Sequence, residues 1–128
     1  MDHADLTERI IGAAYNVHKE LGYGFLESVY EKALLKELRD LKIAAVRQAS
    51  IEVNYKGEVV GEFIADLVVD GFILVELKTS KAINAAHEKQ VVNYLVATGK
   101  PVGLILNFGE KRVEVKRKVP FLKESTTQ

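Results

Sequence analysis

The spacing of the apolar residues changes three times along the chain, and these changes constrain the fold more than any other feature. Helical spacing gives way to segments rich in Val, Ile and Phe, returns once, and ends in two further strand-like segments. The helical segments cover about residues 5–21, 28–41 (or from one turn earlier) and 84–98, and the strand-like segments lie within residues 43–69, 72–78, 102–108 and 111–119. The sequence therefore predicts an α/β fold with the order α-α-β-β-β-α-β-β.

The single helix between two groups of strands decides the topology. A helix that joins two strands of one sheet is almost always a right-handed crossover between parallel strands, so the sheet is predicted to be mixed and flanked by helices. Turn signals at Lys56-Gly57, Asp70-Gly71 and Asn107-Phe108-Gly109 separate the antiparallel strands. Ser28 and Glu31 have the spacing of a capping box for the second helix.

Composition narrows the class of protein. The 128 residues suit one domain with a polar tail from about residue 122, and 48 % hydrophobic and 28 % charged residues are typical of a globular chain. Eighteen basic and eighteen acidic residues cancel, so contact with a polyanion needs a local patch. The absence of cysteine excludes disulfides and thiolate chemistry. Because neither a signal-peptide pattern nor an apolar run of about 18 residues occurs, we expect a cytoplasmic protein without a membrane span.

Three charged residues stand inside the predicted hairpin of residues 64–80, where a sheet normally has apolar side chains. A two-residue turn at Asp70-Gly71 would place Glu76 and Lys78 on the apolar face. A loop with an odd number of residues, with Gly71 at positive φ, instead brings Asp66, Glu76 and Lys78 to one side. The hydrophobic pattern favours the odd loop. Under strict alternation, the apolar face of the first strand comprises Phe63, Ala65, Leu67 and Val69.

This group of charges has two interpretations. In the first, it is a partly solvated ion-pair cluster, which stabilises a fold by only ~0–1 kcal/mol. In the second, Asp66 and Glu76 ligate a hard divalent cation, which requires oxygen ligands and retains waters. Lys78 would then lie beside the water or a phosphate and offset developing negative charge.

Further polar residues fall near this hairpin in the predicted fold. Gln90 and Tyr94 are four apart and therefore share one helix face, although a tyrosine there is also a common core residue. Glu27 begins the second helix, where a carboxylate also interacts favourably with the helix dipole. Lys116 and Arg117 belong to a basic run that either protects an edge strand or contacts phosphates.

These residues together resemble a known family. Asp66 followed by Glu76-Leu77-Lys78 resembles the motif of the PD-(D/E)xK phosphodiesterase superfamily, although Ala65 stands in place of the motif's proline. Gln90-xxx-Tyr94 is similar to the QxxxY extension of its RecB-like exonuclease branch. The stretch from Gly24 to Tyr30 matches the signature of the GxxExxY family within that superfamily.

The resemblance implies a restriction-endonuclease-like core, a mixed sheet with flanking helices. It implies Asp66, Glu76 and Glu27 as ligands of Mg²⁺ or Mn²⁺, Lys78 as the catalytic lysine and Gln90 as an accessory group. With Tyr94, Lys116 and Arg117 as substrate contacts, the first hypothesis is a nuclease that hydrolyses nucleic acid, DNA above all, through metal-activated water. The alternative is a non-catalytic nucleic-acid- or protein-binding module with the same fold. In either case, a homodimer or a protein partner would add surface for gripping a duplex.

Overall fold

The computed structural model describes residues 3–120 and confirms the predicted order of elements. The helices are α1 (Ala4–Leu21), α2 (Glu27–Asp40) and α3 (Ala85–Thr98), and the strands are β1 (Ala45–Tyr55), β2 (Glu58–Val69), β3 (Ile73–Lys78), β4 (Val102–Phe108) and β5 (Val113–Lys118). The predicted polar tail from about residue 122 lies outside the described residues. Within residues 3–120, no helix is both long enough and apolar enough to cross a membrane.

The five strands form one mixed sheet in the order β1-β2-β3-β4-β5. The pair β3 and β4 is parallel and is joined by α3, whereas every other neighbouring pair is antiparallel. The predicted crossover topology is therefore confirmed. The turn predicted at Asn107 to Gly109 is wrong, because Asn107 and Phe108 still pair with β5; the connection instead spans residues 109–112.

The helix boundaries follow from local capping. Helix α1 ends at Leu21. The N–H of Gly22 still donates to the carbonyl of His18 at 2.8 Å, and the φ of 76° at Gly22 turns the following chain out of the helix. Helix α2 begins at Glu27, close to the predicted start near residue 28 and not a full turn earlier. Its N-cap is Leu26 and it has no side-chain cap, so the capping box predicted at Ser28 is wrong. Helix α3 does have a capping box: the side-chain oxygen of Asn84 accepts from the N–H of His87 at 2.8 Å.

Helices cover both faces of the sheet. One buried cluster packs α1 and α2 against the sheet, and its members include Ile10, Val17, Tyr30, Leu34, Leu67, Val75, Leu104 and Phe108. The other packs α3 against the opposite face, with Ala65, Val68, Leu74, Ile83, Val91, Leu95 and Ile105. A Cβ on Gly103 would lie 2.8 Å from Val91 Cγ1, so glycine is what allows α3 to approach β4 this closely.

Strand β2 does not keep one apolar face along its length. Leu67 and Val69 belong to the α1–α2 cluster, whereas Ala65 and Phe63 pack on the α3 side, so the prediction that all four share one face is wrong. The change occurs at Asp66. Gln48 of β1 lies opposite Asp66, because the residues on either side of it pair with Leu67 and Ala65. The φ of Gln48 is 53°, in the left-handed region. Such a residue interrupts regular alternation, which sequence periodicity assumes.

Candidate active site

The register of the β2–β3 hairpin brings Asp66 opposite Glu76. The ladder pairs Leu67 with Val75 and Val69 with Ile73, which leaves a three-residue loop at positions 70–72. Gly71 in this loop has a φ of 74°, and Asp70 has a φ of 54°. The predicted odd-length loop with Gly71 at positive φ is therefore confirmed.

Asp66 and Glu76 lie just beyond the last backbone pair of β2 and β3, Leu67 with Val75. Here side-chain oxygens take part in the hydrogen bonds between the strands. The backbone N–H of Asp66 donates to Glu76 Oε2 at 3.1 Å, and the N–H of Leu77 donates to Asp66 Oδ2 at 2.7 Å. Carboxylate oxygens thus replace backbone carbonyls as acceptors for both strands. This exchange anchors the two carboxylates beside one another and fixes their orientation.

Burial makes the charged forms of both carboxyls costly. It raises the pKa of Glu76 to about 7, and the neighbouring Asp66 carboxylate acts in the same direction. Burial also raises the pKa of Asp66, against the opposing effects of the Leu77 N–H and of the Lys78 ammonium. Two neighbouring buried acids with raised pKa values, close to an ammonium, make this junction a candidate functional site.

Lys78 is the last residue of β3, and the chain after it is held by Asn107. Asn107 lies beside Lys78 on β4 and is only 1 % exposed. Its Nδ2 donates to the carbonyl of Ser80 at 2.8 Å, and its Oδ1 accepts from the N–H of Ser80 at 2.9 Å. Both halves of the amide therefore fix the exit of the chain from Lys78. The signal in the sequence was a polar residue near the end of an otherwise apolar strand.

A third carboxylate, Glu31 on α2, borders the site and was missed from the sequence as a site residue. Glu31 is 4 % exposed, and its negative charge contributes to the raised pKa of Glu76. Arg47 Nε lies 2.6 Å from Glu31 Oε1. The two side chains form an ion pair, but the N–H of Arg47 Nε does not point at the carboxylate oxygen as a hydrogen bond requires. Gln48 Nε2 donates to both carboxylate oxygens of Glu31, at 2.9 and 3.0 Å. The available signal was its position one helical turn after Glu27.

Gln48 links this group to Asp66. Its amide faces the Asp66 carboxylate as well as Glu31, and it lowers the pKa of Asp66 against the effect of burial. The left-handed backbone of Gln48 is an uncommon conformation for a residue with a side chain. The strained position thus delivers one amide donor to two neighbouring carboxylates.

Glu27 lies apart from the two sheet carboxylates. It is exposed at the start of α2, where it lines a cavity together with Thr79, the residue after Lys78. Within residues 3–120, no three His, Asp or Glu side chains stand together in a way that would hold a metal ion. The structure therefore brings Asp66 and Glu76 together and leaves Glu27 at the edge of the same region.

The paired residues of α3 share one face, as their spacing predicts. Gln90 Nε2 donates to the hydroxyl of Tyr94 at 3.0 Å. The Tyr94 ring stacks on Phe63 of β2, with centroids 3.5 Å apart and planes inclined by 9°. Tyr94 is thus a packing residue between α3 and β2, and Gln90 is exposed beside it.

The two basic candidates of β5 point in opposite directions. Lys116 pairs with Ile105, which faces α3, whereas Arg117 pairs with Leu104, which faces α1 and α2. Because Ile105 also pairs with Glu76, Lys116 lies two strands from Glu76, about 10 Å across the sheet. A single stretch of backbone phosphates on one face would contact one of these residues and not both.

The donor set fits a small divalent cation. The backbone hydrogen bonds engage Asp66 Oδ2 and Glu76 Oε2, and the other oxygen of each carboxylate takes no part in them. Mg²⁺ is commonly held by one or two carboxylates with water and substrate phosphate completing its shell. A cation between Asp66 and Glu76 would also offset the Asp66 charge, which together with burial raises the pKa of Glu76.

The sheet topology and the residues at the β2–β3 junction define an α/β nuclease-type domain with a restriction-endonuclease-like fold. The chain belongs to the PD-(D/E)XK nuclease superfamily, whose family model matches residues 4–118. Its fold is similar to that of a solved structure described as "Crystal structure of SSO0001", with a TM-score of 0.56 and 21 % identity. That match covers 77 % of this chain and 52 % of the other, so the chain spans about half the length of that structure. No curated protein shows significant similarity.

Proposed function

We propose that the protein is a divalent-metal-dependent phosphodiesterase that hydrolyses nucleic acid, with DNA as its substrate. The observation that carries this proposal is the convergence of Asp66, Glu76 and Lys78 at the junction of β2 and β3. Membership of a nuclease superfamily supports the same chemistry and implies a nucleic-acid substrate. Burial and the neighbouring Asp66 carboxylate raise the pKa of Glu76 to about 7, and a divalent cation held by both carboxylates would offset this cost of charge.

Each residue at the junction has a stated role in the proposal. Asp66 and Glu76 hold Mg²⁺ or Mn²⁺, and this ion, when bound, supplies Lewis-acid activation of water and neutralises phosphate charge. The Lys78 ammonium interacts with the negative charge that develops on the phosphoryl group. Asn107 acts through Lys78 by fixing the chain that follows it, and Gln48 acts through Asp66.

The remaining candidates have outer roles. Glu27 and Gln90 contact water or substrate at the edge of the site, and Lys116 supplies a phosphate contact on the α3 side. Arg117 contacts a different part of the substrate or a partner, and Tyr94 contributes mainly by fixing α3 against β2. In this proposal Glu27 ligates the metal only after moving toward Asp66 and Glu76.

The proposal also covers the family, the domain and the partners of the protein. The stretch from Gly24 to Tyr30 supports placement in the GxxExxY family within the superfamily. Residues 1–128 would act as one cytoplasmic domain. Because the formal charge of the chain is zero, a homodimer or protein partner would supply further surface for gripping a duplex.

The proposal is tested by incubating the protein with single-stranded, duplex and branched DNA and with RNA while titrating Mg²⁺ or Mn²⁺. Cleavage that requires the metal, and that EDTA stops, supports a nuclease. Binding without cleavage of any substrate at any metal concentration would replace it with the binding-module hypothesis. When variants of Asp66, Glu76 or Lys78 are assayed, the matched control is Lys36→Ala. Lys36 pairs with Asp40 at 2.7 Å on the exposed surface of α2, and its loss should leave cleavage unchanged.

A further inference from the structure

An aromatic cavity of about 500 Å³ opens between the α1–α2 loop and the end of β3. It is lined by Tyr23, Gly24, Phe25, Leu26, Glu27 and Thr79. Tyr23 is 57 % exposed and Phe25 is 45 % exposed, so both rings offer surface to a ligand. Thr79 follows Lys78 directly, which places this aromatic cavity beside the candidate active site. Its volume is within the range usual for ligand sites.

The loop that presents these rings is held in one conformation. The hydroxyl of Tyr30 donates to the carbonyl of Gly22 at 2.6 Å and accepts from the N–H of Phe25 at 3.3 Å. The Phe25 ring rests edge-on against the buried Tyr30 ring, with centroids 6.1 Å apart. Gly24, between Tyr23 and Phe25, has a φ of 110°, which a residue with a Cβ rarely adopts. Exposed rings on a fixed loop form a preorganised surface rather than a loose loop tip.

A second cavity, of about 520 Å³, is lined by the chain segment that leaves Lys78 and by residues around the β4–β5 connection. Its lining includes the cations Lys81, Lys111 and Arg112 together with the acids Glu110 and Glu114. The three cations outnumber the two acids, so we call this the basic cavity, and Glu114 is oriented by the N–H of Ile83, which donates to its Oε1 at 3.0 Å. Lys81 is two residues from Thr79, so this basic cavity and the aromatic cavity flank the same few residues.

We propose that the aromatic cavity binds an unpaired nucleobase, stacked on Tyr23 and Phe25, while phosphates of the same strand lie along the basic cavity. The inference rests on the proposed function and names its substrate class: single-stranded nucleic acid, or the single-stranded end of a duplex. A ligand with flat rings and a polyanionic backbone complements both cavities at once. Bases inside a duplex are stacked on one another and are not free to enter the aromatic cavity.

Because the chain has no net charge, base stacking in the aromatic cavity would add affinity that phosphate contacts alone do not give. With a net formal charge of zero, phosphate contacts alone give weak binding, whereas stacking of a base on an aromatic side chain does not depend on salt or sequence to the same degree. One stacked base contributes roughly tenfold to a hundredfold in affinity. The aromatic cavity would therefore select single strands by stacking rather than by charge.

The test uses a fluorescent reporter, because the chain has no tryptophan. Tyr23→Trp is titrated with oligo(dT) and with a hairpin duplex of the same length, in EDTA so that cleavage plays no part. Oligo(dT) is expected to quench the reporter at a concentration about tenfold or more below that of the duplex. The matched control is Tyr55→Trp on the β1–β2 hairpin, where Tyr55 is 61 % exposed, and its fluorescence should not change.

A second variant measures the contribution of the other ring. Phe25→Leu keeps an apolar side chain against Tyr30 but removes the aromatic face, and it should weaken single-strand binding roughly tenfold while leaving duplex binding within about twofold. Equal weakening of both substrates, or equal quenching of both reporters, would overturn the proposal. An unchanged melting temperature of each variant establishes that the domain still folds.

The result also separates this inference from the proposed function. If the wild type cleaves nucleic acid but neither variant distinguishes single strands from duplex, the stacking site is wrong and the nuclease remains. If the Tyr23→Trp reporter responds to oligo(dT) but no substrate is cleaved, the nuclease is wrong and the site stands as a nucleic-acid-binding site. If no nucleic acid binds or is cleaved, both proposals fail.

Discussion

At the junction of β2 and β3, the side chains of Asp66 and Glu76 each accept a hydrogen bond from a backbone N–H of the opposite strand. Glu76 Oε2 accepts from the N–H of Asp66 at 3.1 Å, and Asp66 Oδ2 accepts from the N–H of Leu77 at 2.7 Å. The backbone thus holds two carboxylates together that would otherwise repel each other. Stability contributed by the two N–H donors offsets part of the cost of burying these charges.

The first prediction concerns pH. The pKa of Glu76 is about 7 in the folded chain against an ordinary value of 4.5, so the folded state retains a proton that the unfolded state releases between these values. In EDTA, stability contributed by this group is fully present below about pH 4.5 and is lost as pH rises through about 7. Chemical denaturation at several pH values between 5 and 8 measures the slope, which Glu76→Gln should flatten.

Added Mg²⁺ should reverse that slope for the wild type, because the ion binds the carboxylate form and so binds more tightly as pH rises. A pH profile that is the same in Glu76→Gln and in the wild type would contradict the assignment of the titration to Glu76.

The second prediction concerns Asp66→Asn. The substitution removes one of two neighbouring negative charges but leaves a side-chain oxygen to accept from the N–H of Leu77. The metal-free protein should therefore be as stable as the wild type or more stable, while stabilisation by Mg²⁺ or Mn²⁺ disappears. Thermal melts with and without metal measure both effects. A large loss of metal-free stability would favour the structural ion-pair interpretation.

The third prediction concerns the strained residue Gln48. Gln48→Gly relieves the left-handed backbone but removes the amide that donates to Glu31 and faces Asp66. We expect cleavage to fall while stability changes little, since relief of strain of about 1 kcal/mol offsets the lost hydrogen bonds. Gln48→Ala loses the same amide without that relief and should be less stable than Gln48→Gly.

The matched control for Gln48 is Lys56→Gly. Lys56 has a φ of 49° in the β1–β2 turn and therefore gains the same backbone relief away from the junction. It should raise the free energy of unfolding and leave cleavage unchanged. Equal loss of cleavage in the Gln48 and Lys56 variants would show that backbone relief, and not the amide, is responsible.

The faces of the hairpin were predictable because only a loop with an odd number of residues keeps the charges of β3 off the apolar face. The order of elements was predictable because the apolar spacing changes between helical and strand-like three times and turn signals divide the antiparallel strands. The switch of faces at Asp66 was not, since a left-handed Gln48 in mid-strand leaves no sign in the alternation of residues. Glu31 was missed because spacing along α2 does not reveal which carboxylate is buried.

The fourth prediction concerns Tyr30, the last residue of the GxxExxY motif. Its buried ring stacks on Phe108, with centroids 4.4 Å apart, and its hydroxyl bonds to Gly22 and Phe25. Tyr30→Phe keeps the stack and removes the hydroxyl, so unfolding should become easier by about 1–3 kcal/mol. Tyr15→Phe, at an exposed tyrosine of α1, is the control and should change stability little. No difference between the two variants would mean that the motif tyrosine does not hold the loop.

The fifth prediction separates chemistry from binding through Lys78. If its ammonium stabilises the transition state, Lys78→Ala should reduce the cleavage rate by roughly a hundredfold or more, the effect of losing one well-placed electrostatic group. Metal-dependent stabilisation should remain, since Asp66 and Glu76 are intact. Lys78→Arg should also fail, because a guanidinium is larger and its charge more diffuse than that of an ammonium.

Lys116→Ala provides the contrast, because Lys116 lies two strands away from Glu76 on the same side of the sheet as α3. It should raise KM in a manner that depends on salt and leave the rate at saturating substrate unchanged. Single-turnover rates at several salt concentrations distinguish the two effects. If Lys78→Ala only raised KM in the same salt-dependent way, Lys78 would be a phosphate contact, and the chemical step would have to depend on other groups at the junction.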